Sequence, residues 1–322
     1  MFEHTPETAA PLFAWMAERH AIYLRKEALQ ERRIPKLSDY GNGFWGAGEW
    51  NLNRLTADPI LHQFRFCNVY RELDRVTVWI RQHIREPFAD HPDLWFMLAA
   101  ARWINWPPTL EYLIDNVQYN GAWPTDERLF TLDYMVSSLL EWRRRGNKVF
   151  TGAYLITNNG VKMPKEEYVV HRVLGPLWKE RDNIRPLMDH GLESMQRFHV
   201  WLSGGAWNGF GSFMAGQVTT DLRHTRYLKS VSDRQTWAAI GPGSARGLNR
   251  LAGRPVDARI GQVQALAEMR AIQSFMYHWG APWLDFVELT DLQNCCCEYD
   301  KYERVRLGQG RPRALYVPGR GY

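Results

Sequence analysis

The stretch that most limits what this chain can fold into is 285–313, DFVELTDLQNCCCEYDKYERVRLGQGRPR. Its periodicity predicts a helix from about Leu289 to Arg306. On such a helix Asp291, Asn294, Glu298 and Lys301 recur at spacings of three and four, so an acid, an amide, an acid and an amine lie along one face. Leu292, Cys295, Cys296 and Tyr299 make an apolar flank beside that row, and the segment that follows carries Gly308, Gly310, Arg311 and Arg313. A row of this kind is either a solvated helix face or a reaction site bordering a buried one. Arginines just beyond it suit phosphate.

A chain of 322 residues with 45% hydrophobic and 13% aromatic residues can bury a sizeable core, as one large domain or two small ones. No apolar run is long enough to span a membrane, and the start MFEHTPETAA lacks a basic region followed by an apolar one. A soluble, cytoplasmic protein with no membrane partner is expected. The four cysteines are Cys67 and the run Cys295 to Cys297. Adjacent helical residues point about 100° apart, so the run cannot close a tetrahedral metal site alone, and small buried hydrophobes is the favoured reading. The formal charge of +5 permits a polyanionic partner without requiring one.

Along the chain, residues 7 to 33 read as a helix with Leu12, Phe13, Met16, Ile22 and Leu29 on its apolar side. The Gly- and Trp-rich stretch from Ser38 to Asn53 reads as an ordered loop, and the two together as an N-terminal region, 1–59, ahead of a helical catalytic domain, 60–322. Pro59 to Arg85 has a helical stripe, Phe66, Val69, Leu73, Val76 and Ile80, with Asn68, Arg71, Glu72 and Arg75 on the other side. There Arg71 and Arg75 either hold an anion or pair with Glu72 and Asp74. Asp93 to Trp103 reads as a buried helix, and Leu129 to Arg145 as a helix closed by Gly146. Thr151 to Lys162 suits a small β-hairpin turning at Asn-Asn-Gly. Residues 166 to 202 read as helix, and Phe213 to Leu222 as a helix that sets Gln217 and Asp221 one turn apart. No P-loop of the form GxxxxGK[ST] occurs. IGPGSARGLNRL, 240 to 251, is either a backbone phosphate cradle at a helix N-terminus or a plain helix-to-helix turn.

Three of these stretches together, FRFCNVYRELDRV (64 to 76), GQVTTDL followed by GPGSARGLNRL (216 to 251) and LTDLQNCCCEYDKYERVRLGQGRPR (289 to 313), resemble the phage alpha-glutamyl/putrescinyl thymine pyrophosphorylases. Those are relatives of the helical domain of 5-hydroxymethyluracil DNA kinases. The resemblance spans about residues 60 to 316. It implies an all-α, helix-hairpin-helix DNA-glycosylase-like fold with 240 to 251 as the hairpin. It also implies a thymine-hypermodifying transferase, located in the host cytoplasm if phage-encoded. An amine or amino acid displaces pyrophosphate from pyrophosphorylated 5-hydroxymethyluracil in double-stranded DNA. Kinase relatives carry a P-loop, so its absence favours the transferase. A glycosylase acting on a modified pyrimidine and a non-catalytic DNA-binding subunit are the competing readings.

That chemistry needs cations at the leaving group, a base to keep the amine neutral, and a nucleobase out of the stack. The residues expected to supply these are Arg65, Arg71 and Lys301 for pyrophosphate, with Asp291, Glu298 and Asp221 as the acid-base candidates. Asn68, Gln217 and Asn294 have the donor and acceptor pairs that read a uracil edge. Gly241, Gly243, Ser244 and Arg246 are expected on the DNA backbone. No ligand cluster marks a metal site; magnesium is the cofactor that pyrophosphate chemistry allows.

Overall fold

Apolar residues at spacings of three and four recur along most of this chain, and they fold it into helices. The computed structural model describes residues 4–31, 51–115, 121–154, 156–276, 279, 284, 287–312 and 314–316. Among them the strand-like pairings are isolated bridges, Asn51 with Arg54 and Phe64 with Leu315. The all-α class expected from the sequence therefore holds. In chain order the helices begin with α1 (Pro6–Glu31), α2 (Pro59–Gln63), α3 (Arg75–Ile80), α4 (Leu94–Ile104), α5 (Pro107–Ile114), α6 (Leu132–Arg144) and α7 (Lys165–Glu167). They continue with α8 (Gly175–Lys179), α9 (Arg181–Pro186), α10 (Met195–Ser203), α11 (Ser212–Leu222), α12 (Pro242–Leu251), α13 (Gln262–Met276) and α14 (Leu289–Arg306). Most of the expected Gly- and Trp-rich loop, with the ends of several other segments and Arg313, lies outside the described residues.

The chain divides into two compact units, one made of both chain ends (Met1–Asp74 with Gln235–Tyr322) and one of the middle (Arg75–Arg234). This is a different division from the one expected at 59/60. The physical reason is that α1 packs on α12, α13 and α14: Leu12, Phe13, Trp15 and Met16 are buried, Trp15 meets Phe66 edge-on, and buried His4 reaches Glu268 at 2.9 Å.

In the middle unit α4 is buried along its whole length, as its composition predicts. It ends at Asn105 in the left-handed region, φ 46. Thr131 caps α6, accepting the Tyr134 N–H, and Gly146 beyond its end sits at φ +83, where a side chain would be strained. One expectation fails here. The hairpin at 151–162 forms its turn, with Asn159 and Gly160 at positive φ, but among the described residues no strands flank it. Asn158 Nδ2 instead donates to the Val161 and Met163 carbonyls and Asn159 Nδ2 to the Tyr168 hydroxyl, so side chains take up groups that a ladder would use. The helix expected over 166–202 comes as several pieces, α7 to α10, with π-helical turns at Tyr168–Leu174 and Leu187–Gly191 and a fresh start where Ser194 accepts the Arg197 N–H.

The unit built from the chain ends is organised around α12 and α14. A Cβ on Gly247 would lie 2.1 Å from the Cys296 carbonyl oxygen, and one on Gly243 2.2 Å from Cys297 Sγ. Glycine at both positions lets the two backbones approach. Residues 242–251 are thus a helix, not the hairpin that the resemblance implies. Pro242 at the first helical position and the reciprocal bonds between Gly241 and Ser244 start it.

Candidate functional site

The sequence pattern puts Phe64 to Asp74 in a continuous helix; the structure does not. α2 stops at Gln63, and Phe64 leaves it extended at φ −110, ψ 148. The Arg65 N–H bonds the Ala314 carbonyl and the Tyr316 N–H the Gln63 carbonyl, holding the chain against the segment after α14. From there the backbone donors go to carboxylates. Cys67 N–H donates to Glu298 Oε2 at 2.8 Å, Asn68 N–H to Asp74 Oδ1 at 2.8 Å, and Arg71 N–H to Asp291 Oδ1 at 3.0 Å. Hydrogen bonds to charged acceptors contribute about 1.5–3 kcal/mol each, enough to hold 64–70 out of an α-helix whose N–H groups they replace, while Arg71–Leu73 form a 3-10 turn.

Arg65 and Asn68 therefore sit on this clamped segment and Arg71 opens the short 3-10 turn, so the three do not share an α-helix face, yet Arg65 and Arg71 meet the α14 row all the same. Arg71 Nη1 donates to Asn294 Oδ1 at 3.2 Å. Lys301 Nζ donates to Glu298 Oε2 at 2.5 Å and to the Arg65 carbonyl at 3.0 Å, and lies 4.6 Å from the Phe66 ring centroid. Six of the expected residues, Arg65, Arg71, Asp291, Asn294, Glu298 and Lys301, are thus brought together. Asp291 and Glu298 are buried, and each has at least one carboxylate oxygen engaged by a backbone N–H. Glu298 Oε1 has no hydrogen bond among the described residues, and neither does the exposed Arg65 guanidinium.

The three amides expected to read a base part company. Asn68 is spent within the protein, its Nδ2 donating to the Leu73 carbonyl at 2.6 Å and its Oδ1 accepting from Arg19 of α1 at 2.7 Å. Gln217 lies in the middle unit and accepts from the Tyr154 hydroxyl at 3.1 Å. Asn294 has its Oδ1 taken by Arg71, while its Nδ2 is shut off from solvent with no partner among the described residues. An unsatisfied donor of that kind costs about 1–3 kcal/mol, which a ligand acceptor would relieve.

Asp221 also belongs to the middle unit, and its surroundings speak against the acid-base role. Its carboxylate is 1% exposed and takes both Arg102 Nε, at 2.5 Å, and Arg102 Nη2, at 2.6 Å; Arg102 in turn reaches Thr77 and Asn105. This is a buried fork-to-carboxylate pair that holds α11 to α4. Of the expected DNA-backbone residues, Gly243 faces Cys297, and buried Ser244 bonds Gly241 and Gln293. Gly241 and Arg246 are half-buried.

Sequence reasoning missed Arg19, and it saw Asp74 only as a pairing partner for Arg71 or Arg75. Arg19 on α1 donates to the Phe66 and Cys67 carbonyls, tying the clamped segment from its other side; burial lowers its pKa, and Asp74 opposes that. Asp74 collects the Asn68 N–H and stands 3.9 Å from Arg71; burial pushes its carboxyl up, against the pull of Arg71. No local pattern points to Arg19, whereas the three-residue spacing from Arg71 to Asp74 is legible in the sequence. The cysteines are free, as expected, and burial drives their thiols up, Cys297 to about 11. Among the described residues no group of three or more His, Cys, Asp and Glu could hold a metal ion, and no helix is long and apolar enough to cross a membrane.

No curated protein and no solved structure matches the chain. One family model does, and it covers both the clamped segment and α14: residues 49–311 match the family described as "5-hmdU DNA kinase, helical domain". With the match running over most of its length, the chain belongs to that family.

Proposed function

We propose that the protein is a DNA-modifying transferase that joins an amine, of an amino acid or a polyamine, to pyrophosphorylated 5-hydroxymethyluracil in double-stranded DNA. Membership of a family named for hydroxymethyluracil DNA supplies the substrate class. The observation that carries the site is the buried Asn294 Nδ2: with Oδ1 accepting from Arg71, the amide keeps an unused donor, as a uracil carbonyl requires. In the reaction the amine nitrogen forms a bond to the exocyclic CH2, the C–O bond breaks, and pyrophosphate leaves with the electron pair. Glu298 Oε1 takes the proton the amine loses, with Asp291 as the other carboxylate of the row. Arg65 and Lys301 meet the leaving group, and Arg71 fixes Asn294. Donors already held in place stabilise charge that grows in the transition state without reorganising. Gly241 and Arg246 lie on the DNA backbone, and the target base leaves the stack to reach the site.

The test is mass spectrometry of nucleosides from pyrophosphorylated hydroxymethyluracil DNA incubated with the protein and a pool of amino acids and polyamines. An amine-bearing nucleoside and released pyrophosphate are expected. Free base with abasic sites would make the protein a glycosylase, and DNA retention with no new nucleoside would make it a binding subunit.

A further inference from the structure

Asp300 on α14 is 1% exposed and points at three arginines. Arg250 Nε donates to Oδ1 at 2.8 Å, Arg246 Nε to Oδ2 at 3.0 Å, and Arg304 Nε stands 3.4 Å from Oδ2. One carboxylate among three guanidiniums leaves a surplus of two positive charges, and the row above does not use it. Beyond this carboxylate, Arg250 Nη2 reaches Gln309. The Nη atoms of Arg246 and Arg304, and Nη1 of Arg250, have no partner among the described residues. Arg246 and Arg304 are 33% and 41% exposed. The next arginine on α14, Arg306, differs: Glu303 grips it through both Nε and Nη2 at 2.7 Å, so that pair is neutral.

Like charges gathered on one buried acid repel each other, and an anion at their outer edges relieves the repulsion. Asp300 accepts from Nε of Arg246 and Arg250 and holds Arg304 Nε within ion-pair distance, so their Nη atoms are positioned beforehand and binding there costs little side-chain entropy. Paired Nη groups suit phosphate oxygens better than a single ammonium does. We infer that Arg246, Arg250 and Arg304, locked by Asp300, form a phosphate clamp for the DNA backbone. The inference deepens the proposed function, since it rests on DNA being the substrate, and it adds Arg250 and Arg304 and the acid that orders them.

The experiment is a titration of labelled, unmodified duplex with the full chain at several salt concentrations. Each lost phosphate contact reduces the steepness of log K against log salt by about 0.9. Arg246→Ala and Arg304→Ala are each expected to flatten the slope by about that much, alike on unrelated sequences, with unchanged circular dichroism. Arg306→Ala is expected to leave the slope unchanged, because its charge is already balanced by Glu303. If Arg306→Ala flattens the slope equally, only net charge matters and the clamp is wrong; if neither Arg246→Ala nor Arg304→Ala flattens it, the clamp is also wrong. The same phosphate chemistry is offered by the leaving group, so inorganic pyrophosphate is titrated in parallel. Weaker pyrophosphate binding with an unchanged DNA slope would assign the arginines to the leaving group and overturn a backbone site. The expected slopes from a protein that modifies no base would sink the transferase reading and leave the clamp standing.

Discussion

Replacing Glu298 separates the two tasks that the structure lays on one side chain. Its Oε2 holds the Cys67 N–H at 2.8 Å and Lys301 Nζ at 2.5 Å, and its Oε1 is the oxygen assigned to the incoming amine. In Glu298→Ala the part-buried Cys67 N–H loses its acceptor, costing about 1–3 kcal/mol, while Lys301 can turn to water and adds roughly 0–1 kcal/mol. In Glu298→Gln the amide oxygen still accepts from Cys67, so the loss is about 1 kcal/mol, the difference between a charged and a neutral acceptor. Removing a general base lowers turnover about a hundredfold or more in both variants, whatever their stability. Urea denaturation and single-turnover kinetics on pyrophosphorylated DNA measure the two quantities side by side. The expected pattern is unequal stability and equally poor rates. If Glu298→Gln keeps the wild-type rate while Glu298→Ala falls only as far as its folded fraction, Glu298 is a clamp for segment 64–74 and the proton goes elsewhere.

Three further outcomes follow from the packing. Gly247→Ala places a Cβ 2.1 Å from a backbone oxygen that cannot swing away, and should cost about 3 kcal/mol or more by thermal or urea unfolding. Gly243→Ala meets a movable thiol, so it should cost less and be largely rescued by Cys297→Ala; equal costs for the two glycines would contradict the close approach. Asp221→Ala strands the 2%-exposed Arg102 and should cost about 3–5 kcal/mol, whereas Arg102→Met with Asp221→Leu should come close to wild-type stability; a large loss in the double variant would show that the pair does more than hold α11 to α4. Burial opposes ionisation of Glu268, but bonds from His4, Arg254 and Gln264 hold its pKa at about 2, below its ordinary 4.5. Its folded-state pKa is depressed, so its contribution of roughly 2–3 kcal/mol is present above pH 4.5 and disappears as pH falls toward 2. Glu268→Gln should be less stable at neutral pH and lose less across that window, which denaturation at a series of pH values can read.

Where a helix packs one face on a core, the sequence shows it: α14 runs over the residues its periodicity predicts, and Leu292, Cys295, Cys296 and Tyr299 are its buried flank. The segment 64–74 was illegible for a definite reason. Phe66, Val69 and Leu73 fit a helical stripe, but an extended chain can bury Phe64 and Phe66 on alternate positions just as well, and both are buried. What decides between the two is where the backbone N–H groups go. Two of those acceptors, Glu298 and Asp291, stand on α14, more than two hundred residues along the chain, where no local pattern can reveal them.

The same fact recasts the acids of α14. Read as a row, Asp291 and Glu298 look like a site waiting for substrate; both are buried, and so are Asp300 and Glu303 on the same helix. Asp291 and Glu298 turn toward the clamped segment, Asp300 toward the arginines of α12, and Glu303 toward Arg306. A buried carboxylate is tolerated only with partners, so each acid fixes the position of what it meets. One helix thereby orders a cation-rich loop beside Asn294 on one side and a set of outward-facing guanidiniums on another, from acids set close together along a single chain segment. If that coupling matters to function, Asp300→Asn should weaken DNA binding through disordered arginines even though it raises the net charge. A variant that gains a charge and binds DNA more tightly would show that charge alone, and not its placement, governs the contact.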